Sequence, residues 1–147
     1  DVSEAAVEMA RKNAARNGVL ARMDVKVANV LDLLPQMLQN GGSPYDFIIL
    51  DPPAFTKSRK TVEGAQRGYK EINCTAMRLL PRGGYLATCS CSHFMTEALF
   101  SKMLVSAARD AGVSLRQIEA RQQAPDHPIL WNVPETDYLK FYLFQVV

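Results

Sequence analysis

Tyr45-Asp46-Phe47-Ile48-Ile49-Leu50-Asp51-Pro52-Pro53-Ala54-Phe55 is the stretch on which the fold turns. Four consecutive apolar residues, Phe47 to Leu50, are too short a run for a buried helix. They read as a strand buried on both faces of a parallel sheet. Pro52 and Pro53 stop that strand, because proline supplies no ladder donor. Open α/β sheets bind their ligands beyond the carboxyl ends of the strands, which is where Asp51 falls.

Working outward towards the carboxyl terminus, residues 66–80 form a helix, 85–90 a second buried strand, and 96–111 a helix that ends at Gly112. Residues 114–122 are a strand, 123–137 a loop with three prolines, and 138–147 the last strand. Towards the amino terminus, residues 3–17 form a helix capped by Ser3, with Glu4 in its first turn and Gly18 just beyond its end. Residues 24–29 alternate like a short strand, and 30–39 read as a helix that tolerates Pro35 only in its first turn. Strands alternating with helices predict a doubly wound, mostly parallel sheet. The last two strands have only a loop between them, so the final strand pairs antiparallel.

Composition fits this reading. The chain has 147 residues, 48% of them hydrophobic and 22% charged, which suits one globular domain. Disordered and collagen-like classes are excluded. No apolar run approaches a membrane span, and no signal peptide opens the chain. Three cysteines without metal-site spacing predict free thiols in a reducing, cytoplasmic setting and no metal.

Net charge is +2, but Phe55 to Lys70 carries five cations, Lys57, Arg59, Lys60, Arg67 and Lys70, against the single acid Glu63. Phe55 and Tyr69 are interleaved with them. Cations for phosphates and rings for bases together describe a single-stranded RNA surface; a solvated loop and helix face would look similar. Pro53 and Phe55 lie beside Asp51, placed to meet a planar substrate. Cys91 follows a buried strand and precedes a helix, a position that favours a thiolate nucleophile. Cys89 and Cys74 read as core thiols. His93 could tune Cys91, His127 borders the site or holds its loop, and Trp131 reads as a packing residue.

The ordered set Asp1-Val2-Ser3, Asp51-Pro52-Pro53-Ala54-Phe55, Arg67-Gly68-Tyr69-Lys70-Glu71-Ile72-Asn73, Gly83-Gly84, Cys89-Ser90-Cys91-Ser92 and Asp126-His127-Pro128 resembles class I S-adenosylmethionine-dependent methyltransferases. More closely, it resembles bacterial large-subunit ribosomal RNA cytosine-5 methyltransferases, over essentially the whole chain. The resemblance implies a Rossmann-like α/β sheet whose last strand is inserted antiparallel. It implies S-adenosyl-L-methionine as cofactor, with Asp1 at its ribose hydroxyls, Asn29 near its adenine in place of the usual Asp, and Asp51 and Pro52 beside its methyl group. It implies Cys91 as the nucleophile and Asp51 as the acid at the target base.

No Gly-x-Gly-x-Gly loop occurs in these residues. Residues 1–147 are therefore expected to be a partial catalytic domain, with the first strand, the glycine loop and an RNA-binding module upstream. Alone it is expected to bind little cofactor, and exposed strand edges invite a homodimer. Two alternatives stay open: an exocyclic-amine methyltransferase of RNA or DNA, and an inactive RNA-binding or dimerising fragment.

Overall fold

The computed structural model describes residues 1–41, 45–55 and 61–147. Lys57, Arg59 and Lys60 lie outside these. The elements run α1 (Glu4–Arg16), α2 (Val30–Gln39), β1 (Phe47–Leu50), α3 (Val62–Leu79), β2 (Tyr85–Ser90), α4 (Glu97–Ala111), β3 (Leu115–Arg121) and β4 (Lys140–Val146). Single 3-10 turns occur at Leu20–Arg22 and Pro134–Thr136.

Capping chemistry sets the helix ends. The Ser3 hydroxyl accepts from the Ala6 amide and starts α1. The Thr96 hydroxyl accepts from the Leu99 amide and starts α4. At the far end of α4, Gly112 has φ 73°. Its amide donates to Arg109 and that of Val113 donates to Ala108, a closure that needs a left-handed residue. α2 begins at Val30, so Pro35 is its sixth residue rather than part of its first turn. Leu31 and Leu34 nevertheless pack that helix against the core.

The sheet order is β1-β2-β4-β3. β1 pairs parallel with β2, and β4 lies antiparallel between β2 and β3. Three strands thus share one direction and the last is inserted against them, as expected. Residues 24–29 do not form a strand. A strand needs a partner, and only Asp1 lies alongside: the Ala28 amide donates to the Asp1 carbonyl at 2.9 Å, and the Asp1 amino group to the Lys26 carbonyl at 3.2 Å.

β4 alternates strictly, with Tyr142, Phe144 and Val146 buried. These residues join Leu86 of β2, Tyr69 and Ile72 of α3, and Phe100 and Leu104 of α4 in one core cluster. α3 and α4 therefore cover that face. The opposite face is less covered than a doubly wound sheet predicts. Phe47 is 46% and Ile49 69% exposed, so β1 is not buried on both faces. Its run of four apolar residues carries no sign of which face lacks a covering layer.

Gly84 shows why the turn into β2 needs a small residue. A Cβ there would stand 2.9 Å from the Pro81 carbonyl oxygen and 3.2 Å from that of Asp46. The Tyr85 amide donates to the same Asp46 carbonyl at 2.8 Å, which locks the two strand starts together.

Candidate active site

Five chain segments meet at the carboxyl edge of β1 and β2. Asp1 stands ahead of α1, Asn29 caps α2, Asp51 to Phe55 follow β1, Ile72 projects from α3, and Cys91 follows β2. Together they line an open cleft of ≈ 770 Å³. That volume is within the range of small-molecule sites. Asp1, Asn29, Asp51, Pro52, Pro53, Phe55 and Cys91, expected from sequence to serve cofactor, catalysis and substrate, all line it. Its apolar walls come from Val2, Val30, Leu31, Ile49 and Leu50.

Asp1 uses one carboxylate oxygen to accept from the Ser3 amide at 2.7 Å. The second oxygen has acceptor capacity for a hydroxyl. Asn29 is more committed. Its amide oxygen accepts from the Leu31 amide at 3.2 Å, and its nitrogen donates to Asp32 at 2.8 Å. The side chain serves first as the N-cap of α2 and presents that helix start to the cleft.

Asp51 is held by a neighbour that sequence reading assigned only to the core. Leu50 pairs with Thr88, which places Cys89 next to Asp51. The Cys89 thiol lies 3.3 Å from an Asp51 carboxylate oxygen and 3.3 Å from the Leu50 carbonyl oxygen. Burial first, and then the Asp51 carboxylate, push this thiol up to about 12. It stays protonated near neutral pH and serves as a donor. The strand register is the signal that could have found it. Alkylation at mildly basic pH is expected to leave Cys89 largely unmodified while the half-buried Cys91 reacts; peptide mass spectrometry reads the difference.

The buried face of β2 carries a second set of polar contacts. Ser90 donates to the Tyr69 hydroxyl at 3.0 Å and accepts from the Ser92 amide at 3.4 Å. Thr88 donates to Asn73 at 2.8 Å, and Asn73 donates to the Tyr69 carbonyl at 2.8 Å. These bonds fix α3 against the strand that ends at Cys91.

Tyr69 is therefore a correction to the sequence reading. It is fully buried, with its ring edge-on to Phe55 at 4.7 Å and to Phe100 at 5.8 Å. Helical spacing groups Tyr69, Ile72, Asn73 and Ala76 on the inward face of α3, so its ring offers no face to a base. Arg67 and Lys70 are also set apart from the cleft. They line a shallow depression between α3 and α4 with Glu63 and Lys102, and Lys70 pairs with Asp110 at 2.6 Å. Among the described residues, the basic stretch and the cleft are not one surface.

His127 does not line the cleft; its ring nitrogen meets the Tyr138 hydroxyl at 3.3 Å and steadies the loop before β4. His93 lies in a second cavity of ≈ 400 Å³ with Glu97, Arg121, Asp137, Lys140 and Tyr142. Trp131 is 99% exposed, so it is not a packing residue. The Leu130–Val133 bridge turns the chain tightly around it and presents the side chain outward.

With this geometry in hand, the class of fold is defined. The chain superposes on a protein from Streptococcus mutans described as a sam-dependent methyltransferase, at TM-score 0.73 and 18% identity, covering 99% of this chain and 37% of that one. It also matches TrmN from Thermus thermophilus at TM-score 0.64 and 22% identity, over 100% of this chain and 35% of that one. Its fold is the Rossmann-like sheet of these methyltransferases.

In sequence, the whole chain is similar to the ribosomal RNA large subunit methyltransferase I of Erwinia tasmaniensis, 41% identical over 148 residues, and of Klebsiella pneumoniae, 40% identical over 148 residues. It spans 37% of the length of each. No family model matches the chain. No helix among the described residues is long and apolar enough to cross a membrane.

Proposed function

We propose that this chain is catalytic sequence of an S-adenosylmethionine-dependent RNA methyltransferase that forms 5-methylcytosine in ribosomal RNA through Cys91. The observation that carries the reading is the convergence of Cys91, Asp51 and Asp1 on one cleft. The 41% identity to a ribosomal RNA large subunit methyltransferase supports the choice of substrate.

The residues fit the cofactor. Asp1 has a free acceptor oxygen for ribose hydroxyls, the cleft has apolar walls for a nucleoside, and Pro52 stiffens the backbone beside Asp51. Bound there, S-adenosylmethionine supplies an electrophilic methyl group on a sulfonium.

Cytosine C5 is a poor nucleophile. The Cys91 thiolate forms a bond to C6, which makes C5 enamine-like and able to take the methyl group. A base then removes the C5 proton, the S–C6 bond breaks, and the thiolate is regenerated. Asp51, oriented by Cys89, hydrogen-bonds the base edge where charge develops. Phe55 and Pro53 wall the base side of the cleft. A target within a duplex has to be unpaired first. Lys57, Arg59, Arg67 and Lys70 serve as contacts to the RNA backbone outside the cleft.

Product identity tests the reading. The full-length protein, incubated with ribosomal RNA and cofactor, is expected to yield 5-methylcytidine on nucleoside digestion. N-methylated cytidine, adenosine or guanosine would instead assign the Asp51-Pro52-Pro53 turn to amine methylation.

A further inference from the structure

Lys140 is a buried lysine that the chemistry above leaves unused. It opens β4 opposite Ser90, and only 9% of it is exposed. Its ammonium donates to the Ser92 carbonyl at 2.6 Å and to the Tyr138 carbonyl at 2.6 Å. Ser92 is the residue after Cys91, so the strand beside β2 reaches across to hold the backbone of the candidate nucleophile's loop.

Burying an ammonium is costly unless something in the fold uses it. Burial pushes Lys140 below its ordinary value, and the charges of Asp137, Cys91 and Glu97 oppose that shift. None of them is printed in direct contact with its ammonium, whose two hydrogen bonds go to backbone carbonyls. Glu97 accepts from the Tyr142 hydroxyl at 3.1 Å. His93 and Arg121 line the same cavity, and Arg121 is paired with Glu119. The influence of Cys91 on Lys140 is reciprocal: a cation favoured by a nearby thiolate favours that thiolate by the same free energy.

We propose that Lys140 is a positioning residue for the Cys91 nucleophile, clamping the Ser92 carbonyl from β4 and setting a buried positive charge behind the sulfur. This rests on Cys91 being the nucleophile. A neutral side chain in its place loses the charge that stabilises the thiolate before attack and after release. A loss of Coulomb stabilisation equal to one titration unit is about tenfold in thiolate population.

The test uses the full-length protein and follows Cys91 alkylation by iodoacetamide near neutral pH, read by peptide mass spectrometry. Lys140→Gln keeps a donor for the Ser92 carbonyl but no charge; Lys140→Arg keeps the charge. Alkylation of Cys91 is expected to slow about tenfold in Lys140→Gln and to stay near the parent rate in Lys140→Arg. Methyl transfer should follow the same order, with KM for RNA unchanged. Equal rates in all three proteins overturn the proposal. So does an equal loss in both variants, which would make Lys140 a packing contact. Should either variant misfold by circular dichroism, the parent protein decides: Cys91 must alkylate faster than a cysteine in an unstructured peptide of its own sequence. The cysteine mechanism fails separately, by retained methyl transfer in Cys91→Ala, and that result leaves the alkylation comparison standing.

Discussion

Cys91→Ala in the full-length protein is expected to abolish methyl transfer while leaving cofactor affinity within about twofold. Removing a nucleophile that works as part of a unit costs on the order of 10⁴-fold or more. The cofactor contacts assigned to Asp1 and Pro52 do not depend on the sulfur, so binding should survive. Cys91 is half-buried at the cleft, and alanine leaves its backbone and the Lys140 clamp on Ser92 in place. Calorimetry with S-adenosylmethionine and a methyl-transfer assay together read the split. Loss of both would mean that the substitution damaged the cleft rather than the chemistry.

Phe100→Ala is expected to have the largest effect on stability. Phe100 is fully buried on α4, 5.8 Å from the Tyr69 ring and 6.1 Å from that of Tyr142. Deleting such a ring removes its transfer free energy and leaves a cavity, about 3–5 kcal/mol in total. That is a large share of the ~5–15 kcal/mol that stabilises a typical domain. Thermal unfolding should show a drop of roughly 10 °C. Activity should fall with it, because Tyr69 loses its backing and Tyr69 steadies Ser90 beside Cys91. An unchanged midpoint would contradict the packing described.

Local chemistry made much of this legible. Ser3, Thr96 and Gly112 mark helix ends with their own side chains or lack of one, and α1 and α4 begin and end where those residues say. The double proline after Asp51 marks a strand end at the cleft, and β1 and β2 have the predicted bounds. The start of α3 was hidden for the complementary reason. Thr61 makes no side-chain cap bond, so the helix begins at Val62 with no signal in the polar run before it.

What could not be read depended on long-range neighbours. Tyr69 lies in a basic, polar stretch and looked like a surface ring. Only the docking of α3 on β2 turns it inward to Ser90. The contact of Cys89 with Asp51 and the clamp of Lys140 on Ser92 exist because strands pair in one register, 38 and 48 residues apart in the chain. Asn29 was read through a ligand role, while its side chain first satisfies the exposed amides of a helix start. The exposure of Ile49 and Trp131 follows from which faces receive a covering layer, which composition does not encode.

The central claim is that Cys91 adds to the target cytosine while Asp51 holds its edge. A substrate RNA carrying 5-fluorocytidine at the target tests it most directly. Fluorine replaces the proton that must leave from C5, so after methyl transfer the S–C6 bond cannot break. Full-length protein with cofactor is predicted to accumulate a covalent RNA adduct, mapped by mass spectrometry to Cys91 and absent in Cys91→Ala. Normal turnover on unmodified RNA with no adduct on the fluorinated one, or an adduct on Cys89 or Cys74, would contradict it.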